Sequence, residues 1–273
     1  MVSKIIACAD LHIRNLRRIE EYQEQFSKFI KDCRKTAEEE KGGAAIVIAG
    51  DIFHNKLDIS AEGYALAAWF FRQLDDIAPT FVIAGNHDMS RNLERLDPLS
   101  MLFSVSPFKN VHYLDKELGY QSDCFVYENI TFALYSVFDN FTRPNIEEYK
   151  ISNPENKIVG LFHGDINGGK SDAGYICDNG LETSMFDGCD FVIAGHIHKR
   201  QELTYNGIPI VYCGSLIQQN HGENVSGHGY VVWNVEDETF SSVDIENGDF
   251  GFYTFNIEKG EDIDEDKEQV INL

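Results

Sequence analysis

Ala44-Ala-Ile-Val-Ile-Ala-Gly50-Asp51-Ile-Phe-His54 sets the reading of this chain. Six small or β-branched apolar residues run without a polar break, then give way to a glycine, an aspartate and a histidine. A short run that is apolar on both faces reads as a strand buried on both sides. Four more runs end the same way: Lys4-Ile-Ile-Ala-Cys-Ala-Asp10-Leu-His12, Thr80-Phe-Val-Ile-Ala-Gly85-Asn86-His87-Asp88, Lys157-Ile-Val-Gly-Leu-Phe-His163-Gly164 and Asp190-Phe-Val-Ile-Ala-Gly195-His196-Ile-His198. Glycine directly after three of these runs permits a tight turn at the strand end.

Between the early runs the pattern becomes helical. Residues 17–40 are charged and amphipathic and stop at Lys41-Gly42-Gly43. Residues 60–77 begin at Ser60, carry Glu62 near the start and end before Pro79, and residues 91–104 form a third candidate helix. From about residue 108 the chain turns strand-rich, with candidates at 111–114, 124–127, 131–137, 200–204, 209–213, 229–235 and 240–246. Asn206-Gly207 marks a hairpin. Alternating strands and helices followed by strands predict an α/β sandwich with mixed sheets. Ligands of open α/β sheets sit at the carboxyl ends of the strands, so all five motifs are expected to converge there.

The composition narrows the function. Of 273 residues, 23 are Lys or Arg and 45 are Asp or Glu, a net charge of −22. Such a chain repels polyanions at long range, so a nucleic-acid substrate needs bound cations, a local basic patch or a more basic partner. No apolar run reaches the length of a membrane span, and the first ten residues lack a signal-peptide cleavage pattern. The six cysteines form no C-x-x-C pair and read as reduced, buried thiols, which places the protein in the cytoplasm, or in a host's cytoplasm if it is phage-encoded.

Asp10, His12, Asp51, Asn86, His163, His196 and His198 offer nitrogen and oxygen donors, a mixture suited to manganese, iron or zinc rather than to a thiolate site. A carboxylate can bridge two such cations about 3.5–4 Å apart, and a metal pair both polarises a phosphoryl oxygen and acidifies a water. In Asp10-x-His12 and His196-x-His198 the two side chains are expected to share one side of an extended segment. His87, between Asn86 and Asp88, would then face the pocket mouth and protonate a leaving alkoxide, with Asp88 fixing its tautomer. His54 could contact the phosphate or the same leaving group.

The five motifs, in order over about 190 residues, resemble the calcineurin-like metallophosphoesterase superfamily. The resemblance implies a four-layer α-β-β-α sandwich. It assigns Asp10, His12, Asp51 and His198 to one metal and Asp51, Asn86, His163 and His196 to the other. It makes Asp51 the bridge, His87 the general acid and His54 an additional transition-state histidine. A narrower resemblance rests on Gly50-Asp51-Ile-Phe-His54, on Tyr212-Cys-Gly214-Ser215-Leu-Ile-Gln218-Gln-Asn-His-Gly222-Glu223, and on Asp244-Ile-Glu-Asn followed by Gly251-Phe-Tyr-Thr-Phe-Asn-Ile257. These look like segments of SbcD-type and phage recombination nuclease subunits. They imply a manganese-dependent exo/endonuclease that cuts DNA ends in double-strand-break repair, with magnesium, iron or zinc as other candidate ions. They also imply an SbcC-type coiled-coil ATPase as partner, and a homodimer is compatible with them. On this reading residues 1–247 form the nuclease domain and 248–273 begin a capping domain or an acidic tail. Two departures stand out: Ile13-Arg14 replaces the usual Leu-Gly, and the sequence stops at Leu273 where such subunits continue into a cap. The alternative is a phosphatase or phosphodiesterase acting on nucleotides, small phosphoesters or phosphoproteins, which the acidic charge favours.

His112 reads as structural, and His221 and His228, in a Gly/Asn-rich loop, read as surface residues. Arg14, Arg17 and Arg18 form the one dense basic cluster. They divide between a solvated helix start and a phosphate contact, as do Lys199 and Arg200.

Overall fold

The computed structural model describes residues 1–253 except Leu16, Arg91, Leu93, Glu94, Asp172 and Asp249. The chain runs β1 (Lys4–Cys8), α1 (Ile19–Glu39), β2 (Ala44–Ala49), α2 (Ala61–Asp75), β3 (Thr80–Ile83), α3 (Pro98–Val105), β4 (Val111–Tyr113), α4 (Leu114–Glu117), β5 (Cys124–Tyr127), β6 (Ile130–Tyr135), α5 (Ile146–Ser152), β7 (Lys157–His163), β8 (Phe191–Gly195), β9 (Gln201–Tyr205), β10 (Ile208–Tyr212), β11 (Gly229–Asn234) and β12 (Thr239–Asp244). Two six-stranded sheets result, in the orders β12-β11-β1-β2-β3-β4 and β5-β6-β7-β8-β10-β9. Both are mixed. β1 to β4 are parallel, as are β6, β7, β8 and β10, and the remaining pairs are antiparallel. This is the α/β architecture expected from the sequence.

Strand alternation builds the layers. Ile5 and Ala7 of β1, with Val47, Phe81 and Trp233 of the same sheet, face Phe132, Leu161, Phe191 and Ile193 across the space between the sheets. The intervening Ile6 and Cys8 face outward onto α1 and α2, where Tyr22, Phe26 and Phe29 meet Phe70 and Phe71. The outer face of the second sheet is covered by Ile146 of α5 and by Phe186. Each aromatic side chain buried here contributes about 1.5–3 kcal/mol of transfer free energy.

Two expectations are corrected. The third helix begins at Pro98 rather than near 91, because the Asp97 carboxylate accepts the Ser100 N–H as an N-cap and Pro98 suits the first helical position. Residues 91, 93 and 94 of that expected span lie outside the described residues. The strand-rich half also holds α4 and α5, too short to leave a periodic signal. Of the expected C-terminal segment, residues 254–273 lie outside the described residues, whereas Phe252 folds back and exchanges backbone bonds with the Gln218 side chain. The six cysteines are free thiols, five of them buried. No helix among the described residues is long and apolar enough to cross a membrane.

Candidate metal centre

The carboxyl ends of β1, β2 and β3 in one sheet, and of β7 and β8 in the other, meet at one edge. The loops after β1 and β2 are zipped together: Asp10 N–H donates to Gly50 O (3.0 Å), His12 N–H to Asp51 O (2.9 Å) and His54 N–H to Ile13 O (3.1 Å). Asp10, His12, Asp51 and His196 all have positive φ, from 44° to 99°. The expectation of extended D-x-H and H-x-H segments is therefore corrected: the side chains converge through left-handed turns after the strands, not through strand alternation. Each such residue costs about 1–3 kcal/mol, a strain that persists only where the surroundings enforce it.

Gly85 and Gly195 are needed for space rather than for a turn. A Cβ on Gly85 would lie 2.0 Å from Asp51 Oδ1, and one on Gly195 would lie 2.1 Å from Ala49 O and 2.7 Å from His163 Nδ1. The sheets close so tightly over these donors that only hydrogen fits.

The seven expected donors come together. Ligand atoms of Asp10, His12 and His198 lie within 4.8 Å of one another, as do those of Asp51, His163 and His196. Asp51 links the trios: its Oδ2 is 3.2 Å from His163 Nε2 and 3.5 Å from His12 Nε2, while its Oδ1 accepts the His87 N–H at 2.8 Å. Asn86 Oδ1 stands 3.0 Å from His196 Nδ1. Asp10 and Asp51 are buried; burial raises Asp10 above the usual carboxylate range, and ionising both calls for positive charge between them. Burial works against protonating His163, but the Asp51 carboxylate outweighs it and raises His163 to about 10. Burial likewise opposes ionising Asp51, yet His163 and His12 hold it below the usual carboxylate range. Burial pushes His12 and His196 down. The nitrogen and oxygen donors gathered here fit divalent cations. His12 Nε2 faces His198 Nε2 at 3.0 Å, and the buried His163 Nε2 points at the Asp51 carboxylate.

Outer groups orient the rings. His163 Nδ1–H donates to Ala49 O (2.7 Å) and His198 Nδ1–H to Glu223 Oε1 (2.7 Å), which turns each Nε2 inward. His87 Nδ1–H donates to His54 O at 2.6 Å. Asp88 is corrected on this point. Its carboxylate accepts the N–H groups of Ile52, Phe53 and Gly85, so it ties two motif loops together and does not touch His87. Burial raises Asp88 to about 7.

Sequence reasoning singled out Glu223 only as part of a motif, and its partnership with His198 had no local signal. Arg14 takes the site-facing alternative: its guanidinium donates to His54 Nε2 (3.1 Å) and Gln219 O (3.1 Å). Burial and the Arg14 charge lower His54 to about 4. Arg18 pairs with Glu21 instead, and Arg200 bonds Tyr230 O, Val243 O and Asp244, a structural staple. His112 packs on Phe81 and bonds Glu117, as a structural residue should. His228, expected at the surface, is buried between Ser215 Oγ and Asn224 O.

Residues 3–200 match the family described as calcineurin-like phosphoesterase. The chain belongs to that family. An uncharacterized protein of Acanthamoeba polyphaga mimivirus is 35% identical over 271 residues, covering 96% of this chain but 19% of that protein. The DNA double-strand break repair protein Mre11 of Methanopyrus kandleri is 23% identical over 221 residues, covering 76% of this chain and 47% of that protein. The chain thus spans about a fifth and about half of these relatives. A dimetal phosphatase from Danio rerio shares the fold, with a TM-score of 0.55, 13% identity and coverage of 86% and 93% of the two chains. As a calcineurin-like phosphoesterase, the chain carries its donor cluster at the strand ends where phosphoester chemistry can be served.

Proposed function

We propose that this calcineurin-like phosphoesterase is a two-metal nuclease that hydrolyses phosphodiesters of DNA. The observation that carries the proposal is the pair of donor trios joined through Asp51, with His87, His54 and Arg14 beside them. Asp10, His12, Asp51 and His198 would hold one ion, and Asp51, Asn86, His163 and His196 the other. Two divalent cations, manganese foremost, would supply Lewis acidity toward the phosphoryl oxygens and acidify a water for in-line attack.

The chain's own residues do the rest. Glu223 and Ala49 O fix the rings of His198 and His163, so no rotamer has to be ordered on binding. His87, held through Nδ1 by His54 O, keeps Nε2 for handing a proton to the leaving oxygen. Arg14 supplies positive charge beside His54 for a phosphate oxygen. DNA as substrate is supported by the likeness to the Methanopyrus repair protein. It is supported also by the Gly214-Ser215 to Gly222-Glu223 stretch, which runs from a bridge with Ala9 to the carboxylate behind His198. The SbcC-type ATPase partner belongs to the same proposal, and copurification would test it.

The test is digestion of linear duplex and hairpin DNA with manganese, wild type against His87→Ala, beside bis-p-nitrophenyl phosphate and p-nitrophenyl phosphate. Hydrolysis of the small diester with intact DNA would sink the nuclease reading. Faster turnover of the monoester would favour a phosphatase, the reading that the net charge of −22 supports.

A further inference from the structure

A cavity of about 720 Å³ opens from one side of the centre, within the range of roughly 300–1,000 Å³ typical of small-molecule sites. Asn86, His163 and His196 form its inner end, so a group seated in it starts at the donor cluster. Its outer wall is apolar, with Phe138 and Phe141 prominent. Both rings are half-buried and held from behind. Phe141 lies edge-on to Phe162 with centroids 4.9 Å apart, and Phe138 edge-on to Tyr120 at 4.8 Å. Asn140 and Phe141 both take left-handed backbone, φ 59° and 60°, a costly turn that Phe141 itself helps to form. Among the described residues lining the cavity there is no lysine or arginine, and Asp165 brings a negative charge. Arg14 stands outside it with His54, and Lys56, which donates to Asn86 O at 3.5 Å, does not line it.

A rigid aromatic wall without a cation does not select a phosphate chain. It selects a flat, uncharged group, and the amides of Asn140 and Asn179 offer partners for that group's polar edge. We infer that this cavity holds one unstacked nucleobase of the nucleotide whose phosphate lies at the metal centre. The inference rests on the nuclease reading and adds a consequence to it. A base inside a duplex cannot enter a walled cavity, so the strand being cut is unpaired at that position, as in a frayed end or a hairpin loop.

Two measurements test this on the full chain. With metals removed by chelator, a single-stranded oligonucleotide carrying 2-aminopurine is titrated with protein. Stacking is expected to quench its fluorescence, and Phe138→Leu and Phe141→Leu are expected to weaken binding by about tenfold each, within the range of one base–aromatic stack. With manganese, the KM of thymidine 5′-p-nitrophenyl phosphate is compared with that of methyl p-nitrophenyl phosphate. The wild type is expected to favour the thymidine ester by about tenfold or more, and the leucine variants to lose that preference. Equal KM values in the wild type, a comparison that needs no variant to fold, would overturn the inference. So would variants that quench 2-aminopurine as the wild type does. Hydrolysis of both diesters with equal KM would remove the base site and leave the diesterase intact. Quenching with no turnover of either diester would remove the nuclease reading and support the base site.

Discussion

Gly85→Ala tests whether close approach, rather than backbone freedom, demands glycine before Asn86. The new Cβ would meet Asp51 Oδ1 at 2.0 Å, Cγ at 2.6 Å and the Asp51 N at 2.5 Å, where such contacts essentially never fall below 3.0 Å. Asp51 must therefore retreat by about 1 Å. It cannot do so by rotation alone, because its backbone is in contact too and its Oδ1 is held by the His87 N–H at 2.8 Å. A displacement of that size at a reacting centre costs about 10²-fold in rate, or about 2.7 kcal/mol. Overpacking adds a stability loss of about 1–3 kcal/mol, which lowers Tm by several degrees without unfolding the chain. The expected result is a folded protein by circular dichroism, less than two tightly bound metals by elemental analysis, and kcat/KM on bis-p-nitrophenyl phosphate down by about a hundredfold. Gly63→Ala is the control. In α2 its Cβ meets nothing nearer than 3.5 Å, so activity is expected to persist and stability to rise by about 0.5 kcal/mol. A Gly85→Ala protein that keeps two metals and a rate within twofold of wild type would refute the reasoning.

Asp51→Asn is expected to impair both metal sites at once, which elemental analysis reads directly; two tightly held ions would contradict the bridging role. Glu223→Ala, which removes the Glu223 acceptor from His198 Nδ1, is expected to weaken metal binding by about 10–100-fold while Glu223→Gln, still an acceptor, weakens it less, as titration calorimetry would show. Trp233→Ala should cost about 3–5 kcal/mol, since the ring is fully buried and stacked on Phe191 at 4.2 Å, whereas Trp233→Phe should cost under about 1.5 kcal/mol because the indole N–H lost has no hydrogen-bond partner. Urea midpoints separate the two. Burial raises Asp115 to about 6 even though Ser136 Oγ and Ala84 N donate to it. The folded carboxyl keeps its proton over a range where the unfolded one, near 3.9, has lost it. Its contribution is therefore full below about pH 4 and lost as pH rises through about 6, on the order of 2–3 kcal/mol. Asp115→Asn is expected to flatten the fall in stability between pH 4 and 6.5, and an unchanged slope in urea denaturation would count against it.

The sequence alone determined the sheets and the donors. Runs such as 44–49 and 158–162 have no polar residue to place outside, so burial on both faces follows from composition. Donors directly after such runs have nowhere to go but the sheet edge. The tertiary structure decided how those donors are held. Left-handed turns at Asp10, Asp51 and His196 bring together side chains that strand alternation alone would not. Glu223 reaches His198 across 25 residues and Arg14 reaches His54 across 40, separations at which no local pattern survives. Asp88 shows the limit most clearly. Next to His87 in sequence it reads as that histidine's partner, yet three backbone N–H groups of Ile52, Phe53 and Gly85 surround it, and a buried carboxylate takes the donors nearest to it in space. Sequence order fixes which groups are available, but pairing among buried polar groups is fixed by which loops the sheets bring together.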